Sequence, residues 1–304
     1  MSAQPVITIF TPTYNRANTL VRVFDALCSQ TFQKFEWLII DDGSTDNTAA
    51  RIQEWQQRAE FPILYYWQEN QGKHIAHNHA LTKARGKFFL IFDSDDSIVP
   101  QALESLLSAW DSIPELERVG FCGTAGLCVD QFGRIVGKSL PQPVVDASSL
   151  KMRYAHRVSQ EHLNLYVTDI LKEFPFPALA VPYLPEGIVL TQIAEKYRIR
   201  YLNMPLRVYY VETEYDRIMN INPKLLARSH SYWHQFILNR EISWFRYAPF
   251  YFVRSSIHYS RFSLHNQQRL KAQFDGLDHG LARLLWLLTF PFGMIVFWKD
   301  QLAK

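Results

Sequence analysis

The first hundred residues alternate short apolar runs with amphipathic stretches. Residues 6–10 read as a buried strand, and Leu20, Val23, Phe24 and Leu27 then recur at i, i+3, i+4 and i+7, the spacing of one helix face. Residues 37–40 predict a second strand, followed by a turn and a helix to about Arg58. Residues 63–67 predict a third, with a helix over 73–83, and residues 88–92 a fourth. This β-α-β-α order predicts an α/β fold with a mostly parallel sheet covered by helices.

The polar residues fall at the ends of those strands. Thr11 to Arg16 follow the first, Asp41 to Ser44 the second, Glu69 to Lys73 the third and Asp93 to Asp96 the fourth. In open α/β sheets the carboxyl edge is where ligands bind, so four clusters point to one crevice. Asp93, Asp95 and Asp96 offer hard oxygen ligands suited to Mg²⁺ or Mn²⁺, although an acidic strand-to-helix turn would read the same way. Tyr14 could stack on a base and a carboxylate of Asp41 or Asp42 could accept its imide N–H. A packed tyrosine and an Asx turn are the alternatives. Lys73, at a helix start, is a candidate phosphate contact. His74, His77 and His79 are expected to form a helix wall rather than a metal site.

Farther along, residues 119–137 predict a β-hairpin turning at Asp130-Gln131-Phe132-Gly133. Residues 144–183, broken by Pro175, Pro177 and Pro182, predict loops and short helices suited to an acceptor. A helix over 188–197 and a strand over 201–204 then close the α/β body near residue 211.

With 304 residues and 48% hydrophobic content, general disorder is excluded. A net charge of +3 is too small to argue for nucleic acid, but residues 240–304 hold nine Lys/Arg against four Asp/Glu and are rich in aromatics. That combination suits a membrane-facing surface. Residues 284–298 are almost wholly apolar, and 15 residues fall short of the roughly 20 needed to span a bilayer. The expectation is an interfacial segment within 281–304, with a helix packed on the catalytic domain as the alternative. Cys28, Cys122 and Cys128 show no metal-ligand spacing, and residues 1–5 carry no secretory pattern. Both predict a cytoplasmic protein, and the C-terminal segment puts it at the inner face of the membrane by expectation.

The ordered set Thr-Pro-Thr-Tyr-Asn-Arg, Ile-Asp-Asp-Gly-Ser-Thr-Asp, Glu-Asn-Gln-Gly-Lys with Ala-His-Asn, and Phe-Asp-Ser-Asp-Asp resembles the family 2 glycosyltransferases of GT-A fold, over roughly residues 5–110. The resemblance implies inverting transfer of a sugar from a nucleotide-diphosphate sugar, a UDP-sugar by expectation, to a hydroxyl of a glycan or glycolipid in cell-surface polysaccharide synthesis. It implies that Pro12, Tyr14 and Asp42 hold the base, and that Asp93 and Asp95, with Asp96 beside them, hold ribose and the metal. Arg16, Lys73 and Ser94 are counted with the donor contacts. For the base that deprotonates the acceptor it points to an acidic residue before a helix, here Glu186, although Gly187 stands where many relatives carry Asp. Asp169 is the reserve. The domains expected are a catalytic one over 1–220, with donor half 1–120 and acceptor half 121–220, and a helical extension over 221–304.

Two rivals remain. A sugar-nucleotide nucleotidyltransferase would share the sheet and acidic ligands but should carry a Gly-rich phosphate loop after the first strand, and Thr11 to Arg16 contain no glycine. An inactive nucleotide-sugar-binding, membrane-associated protein would not need all three acidic positions.

Overall fold

The computed structural model describes residues 4–210 and 225–302. The chain divides into two compact units, one of Met1–Ala178 with Gln192–Thr213 and one of Leu179–Thr191 with Glu214–Lys304. Segment 179–191, placed with the first domain by sequence, thus groups with the C-terminal helices. The expected closure near residue 211 and the boundary at 220/221 lie outside the described residues.

The first unit is built on β1 (Ile7–Thr13), β2 (Phe35–Asp41), β3 (Ile63–Trp67), β4 (Phe88–Ile91), β5 (Ser97–Ile98), β6 (Phe121–Asp130), β7 (Val144–Ala147), β8 (His162–Val167) and β9 (Arg198–Tyr209). They form one sheet in the order β3-β2-β1-β4-β8-β6-β9-β5, with β7 on β9. The four N-terminal strands pair in parallel. Between them run α1 (Leu20–Cys28), α2 (Thr48–Arg58) and α3 (Lys73–Lys83), as the apolar periodicity requires, while α4 (Ala102–Asp111) follows β5 and α5 (Ser149–Tyr154) follows β7. Under α1 and α2, Phe24 stacks on Trp55 at 4.8 Å between centroids and Trp37 on Trp55 at 5.9 Å. Such buried aromatic area dominates a core's energetics.

Several expectations are corrected. Residues 11–13 are strand rather than loop, because β1 stays in register with β2 to Thr13↔Asp41. Its pairing with β4 ends at Phe10↔Ile91, so Pro12 sits where one side of β1 has no ladder to donate to. The turn at Asp130 forms, with Gly133 N donating to Asp130 O at 2.9 Å and φ of 79°, but its return is a single bridge, Val129↔Ile135. The real partners of β6 are β9, in parallel, and β8, antiparallel. β8 itself lies inside the stretch expected to be irregular, and it is the antiparallel neighbour of β4.

The second unit contains α8 (Ala227–Arg240), α9 (Pro249–His265), α10 (Leu270–Asp275) and α11 (Gly280–Leu302), and the first residues of α7 (Gly187–Ala194). Small residues allow α9 and α11 to meet closely: a Cβ on Gly293 would stand 2.5 Å from Ser260 Cβ, and Ser256 Oγ lies 2.8 Å from Thr289 Oγ1. Asp300 near the end of α11 accepts from Arg261 Nε and an Arg261 terminal nitrogen at 2.6 and 2.7 Å. The apolar run over 284–298 is therefore part of a longer element than its composition suggested. The helix continues through Pro291 for 23 residues, and by length and composition it could cross a membrane.

Candidate functional site

Each loop at the carboxyl edge of β1 to β4 is held by its neighbours. Asn15, with φ of 52°, donates its N–H to Ser44 Oγ at 2.8 Å, and its Oδ1 accepts from Thr45 N at 2.8 Å. Ala17 N donates to Asp46 Oδ2 at 3.1 Å. This stapling of the first loop to the second leaves Tyr14 about half exposed at the rim, free to offer a ring face.

Asp41 and Asp42 are buried and work as clamps. Asp41 accepts from Ser44 N and from Tyr65 Oη, both at 2.8 Å, and burial together with the Asp41 carboxylate pushes the Tyr65 phenol well above its usual range. Asp42 Oδ1 accepts from Gln68 Nε2 at 2.8 Å and Gln71 N at 2.9 Å, and its Oδ2 accepts from Gly72 N at 2.8 Å. A carboxylate has about four acceptor positions, so three bonds leave room for one donor. The second Asp thus first fixes the loop that ends in Gly72, whose φ of 94° starts α3 and delivers Lys73.

Lys73 meets the acidic cluster. Its Nζ donates to Asp93 Oδ1 at 2.6 Å, while Asp93 Oδ2 accepts from Arg207 at 2.8 Å. Arg207 Nε also donates to Asp96 Oδ2 at 2.6 Å. Burial alone would raise the Asp93 carboxyl, but the charges of Lys73 and Arg207 outweigh it and hold it well below the carboxylate range. Asp96, fully buried, is pushed upward by burial and by the carboxylates of Asp93 and Asp95, against Arg207. Asp95 is also raised, first by burial and then by Asp93, and among the described residues it has no ion-pair partner. A half-buried carboxylate beside another carboxylate, in no ion pair among the described residues, fits a site for a divalent ion. Among the described residues, no three His, Cys, Asp or Glu side chains are already gathered as a metal cage.

Lys73, Asp93, Asp95 and Asp96 are thus brought together, with Arg16 close enough to lower the Asp95 carboxyl. Ser94 is buried between Asp93 and Asp95, and Pro12 is buried within β1. His74 and His77 are buried on α3, with His77 edge-on to Phe10, Phe89 and Phe176, and His79 Nδ1 lies 2.9 Å from Gln68 Oε1. Glu186 belongs to the second unit, directly before α7, and its backbone oxygen accepts from Val189 and Leu190 N–H. Asp169 is not at this edge. β8 runs antiparallel to β4, pairing Val167 with Phe88, so α6 (Thr168–Glu173) starts at the amino end of β4. The Asp169 side chain is 90% exposed and pairs with Lys172 at 3.6 Å. The reserve base is therefore corrected by the strand direction.

Arg207 was missed. The available signal was a lone arginine in Leu206-Arg207-Val208, since a buried arginine needs carboxylates.

Parallel strands with a stapled loop at each carboxyl end, closed by antiparallel strands, define a GT-A fold. The match to S. aureus TarS 1–349 in complex with UDP-GlcNAc, 20% identical, has a TM-score of 0.60 and covers 93% of this chain and 79% of that one. The mannosyltransferase PcManGT from Pyrobaculum calidifontis, in complex with GDP-Man and Mn²⁺, gives 0.50 at 18% identity, covering 100% and 89%. Residues 8–130, about two fifths of the chain, match the sequence family described as glycosyl transferase family 2. TuaG of Bacillus subtilis, a glycosyltransferase provisionally named for teichuronic acid biosynthesis, is 32% identical over 104 residues, 34% of this chain and 41% of its own length. The chain thus spans less than half of that relative.

Proposed function

We propose that this protein is an inverting, metal-dependent glycosyltransferase moving a sugar from a nucleoside-diphosphate sugar, by preference a UDP-sugar, to a hydroxyl of a cell-surface glycan or glycolipid. The observation that carries the reading is the strand-end cluster in which Lys73 and Arg207 flank Asp93 while Asp95 makes no ion pair among the described residues. Names of relatives and fold neighbours add support: one is assigned to teichuronic acid, one is bound to UDP-GlcNAc, one to GDP-Man with Mn²⁺.

In this reading Tyr14 stacks on the base, Asp42 uses its remaining acceptor position on the imide, and Arg16 and Ser94 complete the donor contacts. Asp95 and Asp93 would hold Mn²⁺ or Mg²⁺, which supplies Lewis-acid stabilisation of the diphosphate. Lys73 contributes positive charge where negative charge builds on the leaving group, and in a partly buried site that is worth more than in water. Glu186 is kept as the proposed proton acceptor from the attacking hydroxyl.

Release of nucleoside diphosphate from a panel of UDP- and GDP-sugars, with Mn²⁺ and with chelator, tests this. Metal-dependent diphosphate release is the expected result. Pyrophosphate from a nucleoside triphosphate would point to a nucleotidyltransferase, and no product with intact nucleotide binding to an inactive relative.

We also propose peripheral membrane contact through 281–304, at a cytoplasmic membrane face. α11 exposes Leu284, Leu287, Leu288, Phe292, Ile295 and Trp298, spaced as a lengthwise stripe, with Arg283 and Lys299 near its ends. Basic residues add about 1 kcal/mol each near anionic lipid. Flotation with anionic liposomes is expected for the full chain and not for one truncated before Leu281. A full chain that stays at the bottom ends this reading.

A further inference from the structure

The second unit holds a cavity of about 360 Å³ between α8 and α9, within the size range of small-ligand sites. One face of α8 supplies His230, Trp233 and His234, at i, i+3 and i+4. One face of α9 supplies Tyr251, Arg254, Ser255 and His258, at i, i+3, i+4 and i+7.

Its chemistry is one-sided. No carboxylate lines it, and Arg254, exposed at its rim, has no ion-pair partner among the described residues. The imidazoles of His234 and His258 lie 5.2 Å apart and nearly parallel, and burial, with the neighbouring positive groups, pushes them down to about 3 and about 4. They are neutral at neutral pH, so each brings one donor and one acceptor. Arg254 Nε donates to His258 Nε2 at 3.4 Å, which makes that nitrogen the acceptor and puts the ring proton on Nδ1. His258 Nδ1 is buried and has no hydrogen-bond partner among the described residues. An orphaned N–H, an unpaired guanidinium and the Ser255 hydroxyl, which lies 2.9 Å from His234 Nδ1, call for an acceptor-rich anion. Trp233 and Tyr251 supply aromatic faces on which the C–H edges of a sugar ring can rest.

We infer that this cavity binds a phosphate-bearing sugar, with Arg254 and His258 on the phosphate and Trp233 and Tyr251 on the ring. None of these residues belongs to the donor crevice, so the site does not depend on the reading of that crevice.

Glucose 1-phosphate titrated calorimetrically into the full chain tests it, with glucose, inorganic phosphate and anionic vesicles as separate arms. Arg254→Gln should weaken glucose 1-phosphate binding roughly ten- to hundredfold, the usual loss of a charged hydrogen bond, without moving the thermal midpoint. Lys73→Ala, in the donor crevice, should leave that binding unchanged, and glucose and inorganic phosphate should each bind more weakly than the sugar phosphate. Undiminished binding by both Arg254→Gln and Trp233→Leu, loss of binding in Lys73→Ala alone, or binding of vesicles without binding of the sugar phosphate would each overturn the assignment.

Discussion

Each unit sets a cationic side chain beside other ionisable groups, and the two treat it in opposite ways. In the strand-end cluster of the first, Lys73 and Arg207 are each matched to carboxylates, Asp93 and Asp96. In the helical cavity of the second, Arg254 faces imidazoles held neutral, and no carboxylate among the described residues lines the space. A matched buried pair is expensive to break and holds its geometry before any ligand arrives. An unmatched cation at a rim contributes little to stability and is available for an anion. The first arrangement suits positioning of a reaction and the second suits binding, and substitutions in the two should therefore be felt in different measurements.

The largest expected effect concerns the carboxylate carried by the second unit. Glu186→Gln keeps shape but cannot accept a proton, so transfer should fall on the order of 10²–10⁴-fold while nucleotide binding stays intact. Single-turnover rates beside nucleotide titration check this. Normal transfer by the Gln form removes Glu186 from the chemistry and leaves all reactive residues in the first unit.

Next is Arg207. Its removal leaves Asp96 buried without a countercharge, and breaking a buried pair costs roughly 3–5 kcal/mol. Denaturant unfolding of Arg207→Ala should show that loss. Converting both partners, as Asp96→Leu with Arg207→Met, should restore most of it. If the single variant unfolds like the parent, the matched network is not what holds this edge of the sheet.

Asp95→Ala stands third, and it is expected to spare the fold, because the side chain has no ion pair to lose among the described residues. Loss of one charge-stabilising group costs about 3 kcal/mol of barrier, near a hundredfold in rate. Turnover across a Mn²⁺ series checks it. Near-native turnover in metal-depleted buffer would take this residue out of the mechanism.

The parts of the molecule legible from sequence were those that local pattern decides. β2, β3 and α3 follow from apolar runs and helical spacing bounded by polar turns, and the four clusters at strand ends follow from the same reading. β8 escaped although His162 to Leu165 alternate polar and apolar, because the run is short and its place between β4 and β6 is set by tertiary pairing. Asp169 was misplaced for the same reason, since strand direction is not written in a single segment. Arg207 joins Asp93 across 114 residues, and the cavity histidines come from two helices, so neither constellation has a local spacing to find. The length of α11 was underestimated because the apolar run stops at Arg283 and Lys299, whereas the helix passes both charges. Gly293 within it fits against Ser260, and Pro291 lies on the exposed side.

The smallest effect sharpens the contrast most. Arg254 sits exposed on α9, and among the described residues it makes one long hydrogen bond, 3.4 Å to His258, and balances no buried carboxylate. Arg254→Ala therefore removes a surface cation without leaving an uncompensated charge, and surface changes of this kind stay within about 0.5 kcal/mol. Denaturant midpoints for Arg254→Ala and Arg207→Ala, measured side by side, should then differ severalfold in their shift from the parent. If Arg254→Ala were as destabilising as Arg207→Ala, its guanidinium would be bracing the helices, and the two units would be using their cations alike.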